Sequence, residues 1–111
     1  MVTIYATTDG RKPFEEWVES LKDLDAKARV FVRLRRVRLG NLGDCKPVGD
    51  GVSELRFETG PGYRMYFGQE GRTLVVLLCG GDKATQRKDI ADAKGYWRDY
   101  RSRKHAAKRT I

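Results

Sequence analysis

The run Thr73-Leu74-Val75-Val76-Leu77-Leu78-Cys79 shows no alternation of polar and apolar residues. A strand built from it is covered on both faces, so it belongs in the middle of a sheet and forms the centre of the core. Gly80-Gly81 follows and is expected to stop the strand. Asp82 is placed to cap the next helix, and Lys83 stands where strand hands over to helix, a junction whose backbone amides favour anions.

Upstream of that strand, Glu54-Leu55-Arg56-Phe57-Glu58 and Tyr63-Arg64-Met65-Tyr66-Phe67 alternate with the period of two of half-buried strands. Thr59-Gly60-Pro61-Gly62 joins them as a turn. A hairpin centred near Gly60 sets Leu55 against Met65 and Phe57 against Tyr63, and on the other face Arg56 against Arg64. Like charges so placed repel, and an anion between two guanidiniums relieves them; phosphate fits their planar forks. A register slipped by one pair instead sets Glu58 against Arg64 and leaves an ordinary surface ion pair. Both registers are open to this sequence.

The other elements follow from spacing. Val2–Ala6 reads as a first strand closed by Asp9-Gly10. Pro13 opens a helix in which Phe14, Trp17, Val18 and Leu21 form one apolar stripe. Asp23 or Asp25 caps a second helix, with Val30, Phe31, Leu34 and Val37 facing inward and Arg29, Arg33 and Arg36 on another face. Those arginines are either a solvated face or a ridge for a polyanion. The Gly-rich segment from Asn41 to Gly51, with Pro47 and the cation Lys46, reads as a loop, and Gln69–Arg72 as a second turn. Ile90, Ala93, Trp97 and Tyr100 give the last helix its inward stripe, and a basic tail follows. The order is strand, two-helix hairpin, three strands, helix: an α+β domain with a mainly antiparallel four-stranded sheet. The expected division is a domain over 1–103 and a basic tail over 104–111.

Charge narrows the partners. The 111 residues carry 23 Lys plus Arg against 15 Asp plus Glu, a net charge of +8. That balance points to an extended polyanion, nucleic acid before an acidic protein or a membrane. No apolar run reaches the roughly 18 residues of a membrane span, and the first residues lack the pattern of a signal peptide, so a cytoplasmic location is expected. Two distant cysteines, Cys45 and Cys79, and a single histidine, His105, give neither a zinc site nor a histidine-based catalytic pair.

With these elements placed, the chain resembles the RelE/ParE toxin superfamily of bacterial toxin–antitoxin modules, in its phage-derived Gp49-like or HigB-like branch. The resemblance runs over nearly the whole chain. It is carried by Pro13-Phe14-Glu15-Glu16-Trp17, by Glu54-Leu55-Arg56, by Gly60-Pro61-Gly62-Tyr63-Arg64-Met65-Tyr66-Phe67, and by Leu77-Leu78-Cys79-Gly80-Gly81-Asp82-Lys83. It implies a RelE-like fold and a type II toxin that cuts translated mRNA at the ribosome as an endoribonuclease, with no metal or other cofactor. Its implied partners are a cognate helix-turn-helix antitoxin, which forms a hetero-oligomer with an otherwise monomeric toxin, and mRNA on the ribosome; no membrane is involved.

By that resemblance, Arg56, Arg64 and Lys83 match the family's catalytic cations, with Arg64 on the scissile phosphate. Tyr66, Lys88 and Asp89 are further catalytic candidates, and Arg33, Arg36 and Lys46 are candidates for holding RNA. Asp89 stands where some members carry a tyrosine, which leaves the general base unassigned. Two rival readings use the same fold or charge: a DNA gyrase poison that acts by protein binding, and a non-catalytic RNA-binding protein.

Overall fold

The apolar run becomes β5 (Leu74–Gly81) and takes an inner place in a five-stranded sheet ordered β1-β5-β4-β3-β2. Here β1 is Val2–Ile4, β2 Cys45–Gly49, β3 Val52–Arg56 and β4 Arg64–Glu70. The computed structural model describes residues 1–57, 60–71 and 74–109, with side chains up to residue 104. β1 joins β5 in parallel, and the other three pairings are antiparallel.

The period of two divides the sheet's side chains between two layers. Val75 and Leu77 point to one side, with Leu55, Phe57, Met65 and Phe67, and meet Phe14 of α1 (Pro13–Ser20) and Ala26, Val30, Leu34 and Val37 of α2 (Leu24–Arg38). Val76, Leu78 and Cys79 point to the other side, with Val52 and Tyr66, and meet Ala93 and Trp97 of α3 (Gln86–Arg109); a register shift against β4 at Leu78 breaks the alternation and lets Leu78 and Cys79 face the same way. Each fully buried aliphatic side chain contributes about 1.5–3 kcal/mol, so the two-sided strand anchors both layers at once.

Three expectations are corrected. The sheet is five-stranded and mixed, because the segment read as a loop contains β2. Pro47 hides that strand in the sequence, yet proline is tolerated on an edge, where β2 lies. The signal for it was Asp50-Gly51, a two-residue hairpin turn in which both residues have positive φ.

β5 ends at Gly80-Gly81 as expected, and the two glycines are its last rungs, paired with Met65 and Arg64. Their role is close approach. A Cβ on Gly80 would stand 2.3 Å from the Trp17 ring.

Phe31 does not face inward but lies exposed, and Ala26 takes the place expected of it in the stripe. Finally, the helix continues through the expected tail to Arg109. Arg103 donates to the Ala6 carbonyl and Asp99, and Lys104 pairs with Glu70. Glu58, Arg72, Thr73, Thr110 and Ile111, and the side chains of His105, Lys108 and Arg109, lie outside the described residues. Among the described residues no helix is long and apolar enough to cross a membrane.

Candidate anion-binding site

The hairpin takes the in-phase register: Leu55 pairs with Met65, and Arg56 with Arg64. The two guanidiniums are opposite in the ladder, but each turns to its own carboxylate. Arg56 Nε lies 3.7 Å from Asp44 Oδ2, and Arg64 Nε lies 3.6 Å from Glu54 Oε1. These two carboxylates offset part of the repulsion between the arginines within the chain.

The two pairs differ in depth. The Arg56 side chain is 43% exposed, whereas that of Arg64 is 12% exposed and that of Glu54 is fully buried. Arg64 Nη1 donates to the Gly62 carbonyl at 2.8 Å. Glu54 Oε2 accepts from the Tyr66 hydroxyl at 3.1 Å and from the Gln86 amide at 2.9 Å. Glu54 Oε1 and Arg64 Nε are both buried and make no hydrogen bond among the described residues, so charge alone links them. Burial, and then the nearby Glu54 charge, push the Tyr66 phenol well above its usual pKa and hold it as a donor to Glu54. Tyr66 has no exposed surface. Its place is behind Arg64, supporting the carboxylate that supports the arginine.

Lys83 comes to the same corner from the other side. Asp82 caps the short 3₁₀ turn Lys83–Thr85, accepting from the Ala84 and Thr85 amides at 2.9 and 3.2 Å. The Lys83 amide donates to the Pro61 carbonyl at 3.2 Å, which ties the hairpin turn to the end of β5. A Cβ on Gly62, at φ +76°, would stand 3.2 Å from Lys83 Cβ and 3.3 Å from Arg64 Nη1. Gly62, Arg64 and Lys83 thus converge, and Lys83 is exposed.

Asp89 lies over the adjacent strand end. A Cβ on Gly81, the residue opposite Arg64, would fall 1.8 Å from Asp89 Oδ2, so only glycine admits that carboxylate. The Thr85 hydroxyl donates to it. Burial raises the Asp89 carboxyl above the usual aspartate range, with the Thr85 hydrogen bond and Lys88 opposing.

The remaining candidates lie elsewhere. Arg56 shares a groove of about 480 Å³ with Arg29, Arg33 and Arg36 of α2. Arg33 spans that groove's wall, donating to the carbonyls of Arg56 and Leu42 at 3.3 Å each and covering the Phe57 ring. Lys46 is exposed on the edge strand β2. Lys88 is exposed and paired with Asp92 at 2.8 Å. So Arg64 and Lys83 meet around Gly62, with Asp89 at the adjacent strand end, while Arg56, the ladder partner of Arg64, turns its guanidinium to Asp44.

Sequence reasoning missed Glu54 and Gln86 as members of the Arg64 cluster. The alternation of β3 placed Glu54 on the same face as Arg56, and opposite Tyr66 once the register was chosen. Nothing in the spacing placed Gln86, because the 3₁₀ turn between β5 and α3 sets its direction.

No family model matches the chain, and no solved structure matches it. A protein of Haemophilus influenzae (strain ATCC 51907 / DSM 11121 / KW20 / Rd), named only "Uncharacterized protein", is 52% identical to it over 81 residues, 73% of this chain and 82% of that protein's length. At that identity and coverage, the chain belongs to the same family as the Haemophilus protein.

Proposed function

We propose that the chain is a toxin of the RelE/ParE superfamily, in its Gp49-like or HigB-like branch, that cuts mRNA at the ribosome and is neutralised by a helix-turn-helix antitoxin in the cytoplasm. The observation that carries this reading is the meeting of Arg64 and Lys83 around Gly62, with Arg64 braced from behind by a fully buried carboxylate. An arginine held on a buried Glu54 loses little freedom when an anion arrives, and a preorganised cation is what a developing negative charge requires.

In such a cut the RNA 2′-hydroxyl attacks the adjacent phosphorus, the bond to the 5′-oxygen breaks, and a 2′,3′-cyclic phosphate forms. Arg64 neutralises the non-bridging oxygens as negative charge builds on them. Lys83 gives a proton to the departing 5′-oxygen. Asp89 takes the proton of the 2′-hydroxyl. Tyr66 and Gln86 hold Glu54, and Glu54 holds Arg64. Arg56, drawn to Asp44 at the far groove, is left outside the reacting group.

The test is brief expression in bacteria with mapping of new 5′ ends on mRNA. Arg64→Ala is expected to lower the cleavage rate about a hundredfold, the scale of losing one preorganised donor at about 2.7–4 kcal/mol. Arg64→Lys keeps a cation beside Glu54 but lacks the fork, so it separates lost chemistry from lost folding. Cuts at the wild-type rate in both variants would remove Arg64 from the site. Growth arrest with DNA damage signalling and no cuts would move the target to gyrase.

A further inference from the structure

Next to the Arg64 corner, on the face of the sheet that α1 covers, lies a cleft of about 480 Å³. The end of α1, the start of α2, the β3–β4 turn and the end of β5 enclose it, and the proposed cut makes no use of it. Two aromatic rings form its apolar wall. Trp17 and Tyr63 are each only partly buried, with ring centroids 6.3 Å apart and planes at 66°, and Trp17 lies directly on the backbone of Gly80. The polar wall is acidic. Asp23 and Asp82 stand in it with one cation, Lys22, on a protein of net charge +8. Each carboxylate uses its Oδ1 as a cap, Asp23 accepting from the Asp25 amide and Asp82 from the Ala84 and Thr85 amides. No hydrogen bond or ion pair among the described residues takes either Oδ2. The cleft and the corner share walls. Gly81 pairs with Arg64, Asp82 caps the turn that begins at Lys83, and the Thr85 hydroxyl donates to Asp89; all three residues also line the cleft.

We propose that this cleft is a nucleobase subsite, which takes the base of a nucleotide whose phosphate reaches Arg64 and Lys83, and which prefers guanine. The proposal rests on the RNA-cutting reading for the identity of that phosphate. Its volume falls within the roughly 300–1,000 Å³ of small-molecule clefts. Unpaired RNA bases are recognised by stacking on aromatic side chains and by hydrogen bonds to their edges. Stacking on Trp17 or Tyr63 tolerates any base, so the carboxylates set the choice. An ionised carboxylate only accepts hydrogen bonds. Guanine offers it two neighbouring donors, the ring N1–H and the 2-amino group. Adenine and cytosine offer an amino group beside a bare ring nitrogen, and uracil offers one N–H between two carbonyls. The same carboxylates repel phosphate, so the base and not the backbone belongs in the cleft. A partner's arginine fits less well, because Lys22 lies in the cleft and Lys83 directly follows Asp82.

The test is titration of the full-length protein with GMP and with UMP, followed by nuclear magnetic resonance at the Trp17 indole and the Gly80 and Gly81 amides. Both ligands carry the same phosphate, so the difference between them is the base. GMP is expected to shift those signals and to bind about tenfold more tightly than UMP, the scale on which one bidentate contact discriminates. The double variant Asp23→Asn/Asp82→Asn is expected to lose the preference. Asparagine caps helices as aspartate does, so the fold stands, which circular dichroism checks. Equal affinities in the wild type, a preference that survives in the double variant, or shifts confined to the Arg64 and Lys83 amides would overturn the assignment. So would tighter binding of arginine methyl ester than of GMP, which would give the cleft to a protein's cation. GMP held at Trp17 by a chain that cuts no mRNA would keep the subsite and remove the nuclease. Arg64-dependent cuts without a preference for GMP would keep the nuclease and remove the subsite.

Discussion

Arg56 and Arg64 are opposite one another in the same ladder, one rung of β3 and β4, and yet they live in different environments. Arg64 lies over a fully buried glutamate in a network of Tyr66 and Gln86, while Arg56 lies half in water beside a half-exposed aspartate. Identical side chains at paired positions are thus unequal because of what is behind them. A buried pair is costly to break, since removing one partner strands the other charge, whereas an exposed pair is screened and contributes little.

The strongest way to break this comparison is to remove the two carboxylates in turn. Glu54→Ala is expected to cost about 3–5 kcal/mol, the scale of an orphaned buried charge, and Asp44→Ala under about 1 kcal/mol. Urea unfolding measures both, and equal losses would erase the distinction between the sites.

A smaller effect concerns glycine. Gly80→Ala drives a methyl into the Trp17 ring and is expected to cost about 1–3 kcal/mol as an overpacked contact. Gly10→Ala, with open space around it, tests whether backbone strain alone accounts for such a loss. Thermal unfolding of the two variants separates crowding from strain.

Asp89 sharpens the comparison through pH. Its folded carboxyl is raised by burial, so it keeps its proton to higher pH folded than unfolded. Its contribution to stability is therefore full below the ordinary value of 3.8 and is lost as pH rises through the folded value. Asp89→Asn, neutral throughout, should be more stable than wild type near pH 7, and the gap should close on acidification. The same variant should cut RNA more slowly if Asp89 takes the 2′-proton. Melting temperature against pH, with cleavage at pH 7, reads both, and a wild-type melting profile in Asp89→Asn would deny the buried charge.

The smallest effect is in salt. A cation in contact with RNA contributes a slope of about 0.7 in the logarithm of affinity against the logarithm of salt for a single strand. Lys83→Ala should lower the slope by about that amount and Arg36→Ala should leave it unchanged, since Arg36 lies in the groove of α2 beside Arg56. Binding titrations at several salt concentrations decide the point.

Much of this arrangement was legible before folding. The continuous run of β5 required cover on both faces, and α1, α2 and α3 supply it. The alternation of β3 and β4 put both arginines on the face away from Leu55 and Met65. What the sequence did not yield depends on neighbours distant in the chain. Phe31 has the spacing of a core residue, yet α2 buries Ala26, Val30, Leu34 and Val37 and leaves Phe31 exposed. Gly80-Gly81 has the composition of a strand end and is one, but nothing in the spacing shows that Trp17 and Asp89 approach the pair so closely that only glycine fits. Glu54 reads as an ordinary surface acid until α3 lays Gln86 across it.

The parallel pairing of β1 with β5 has a consequence for the order of events during synthesis. Val2, Thr3 and Ile4 have no sheet partner until Val75, Val76 and Leu77 have been made, and the Tyr5 hydroxyl waits longer still for Asp99. Contacts so far apart in the chain form late and slowly. The corner around Arg64 shares this delay, because Gly81 ends β5 and Lys83 and Gln86 follow it. A growing chain therefore holds β3 and β4 well before the corner around Arg64 is complete.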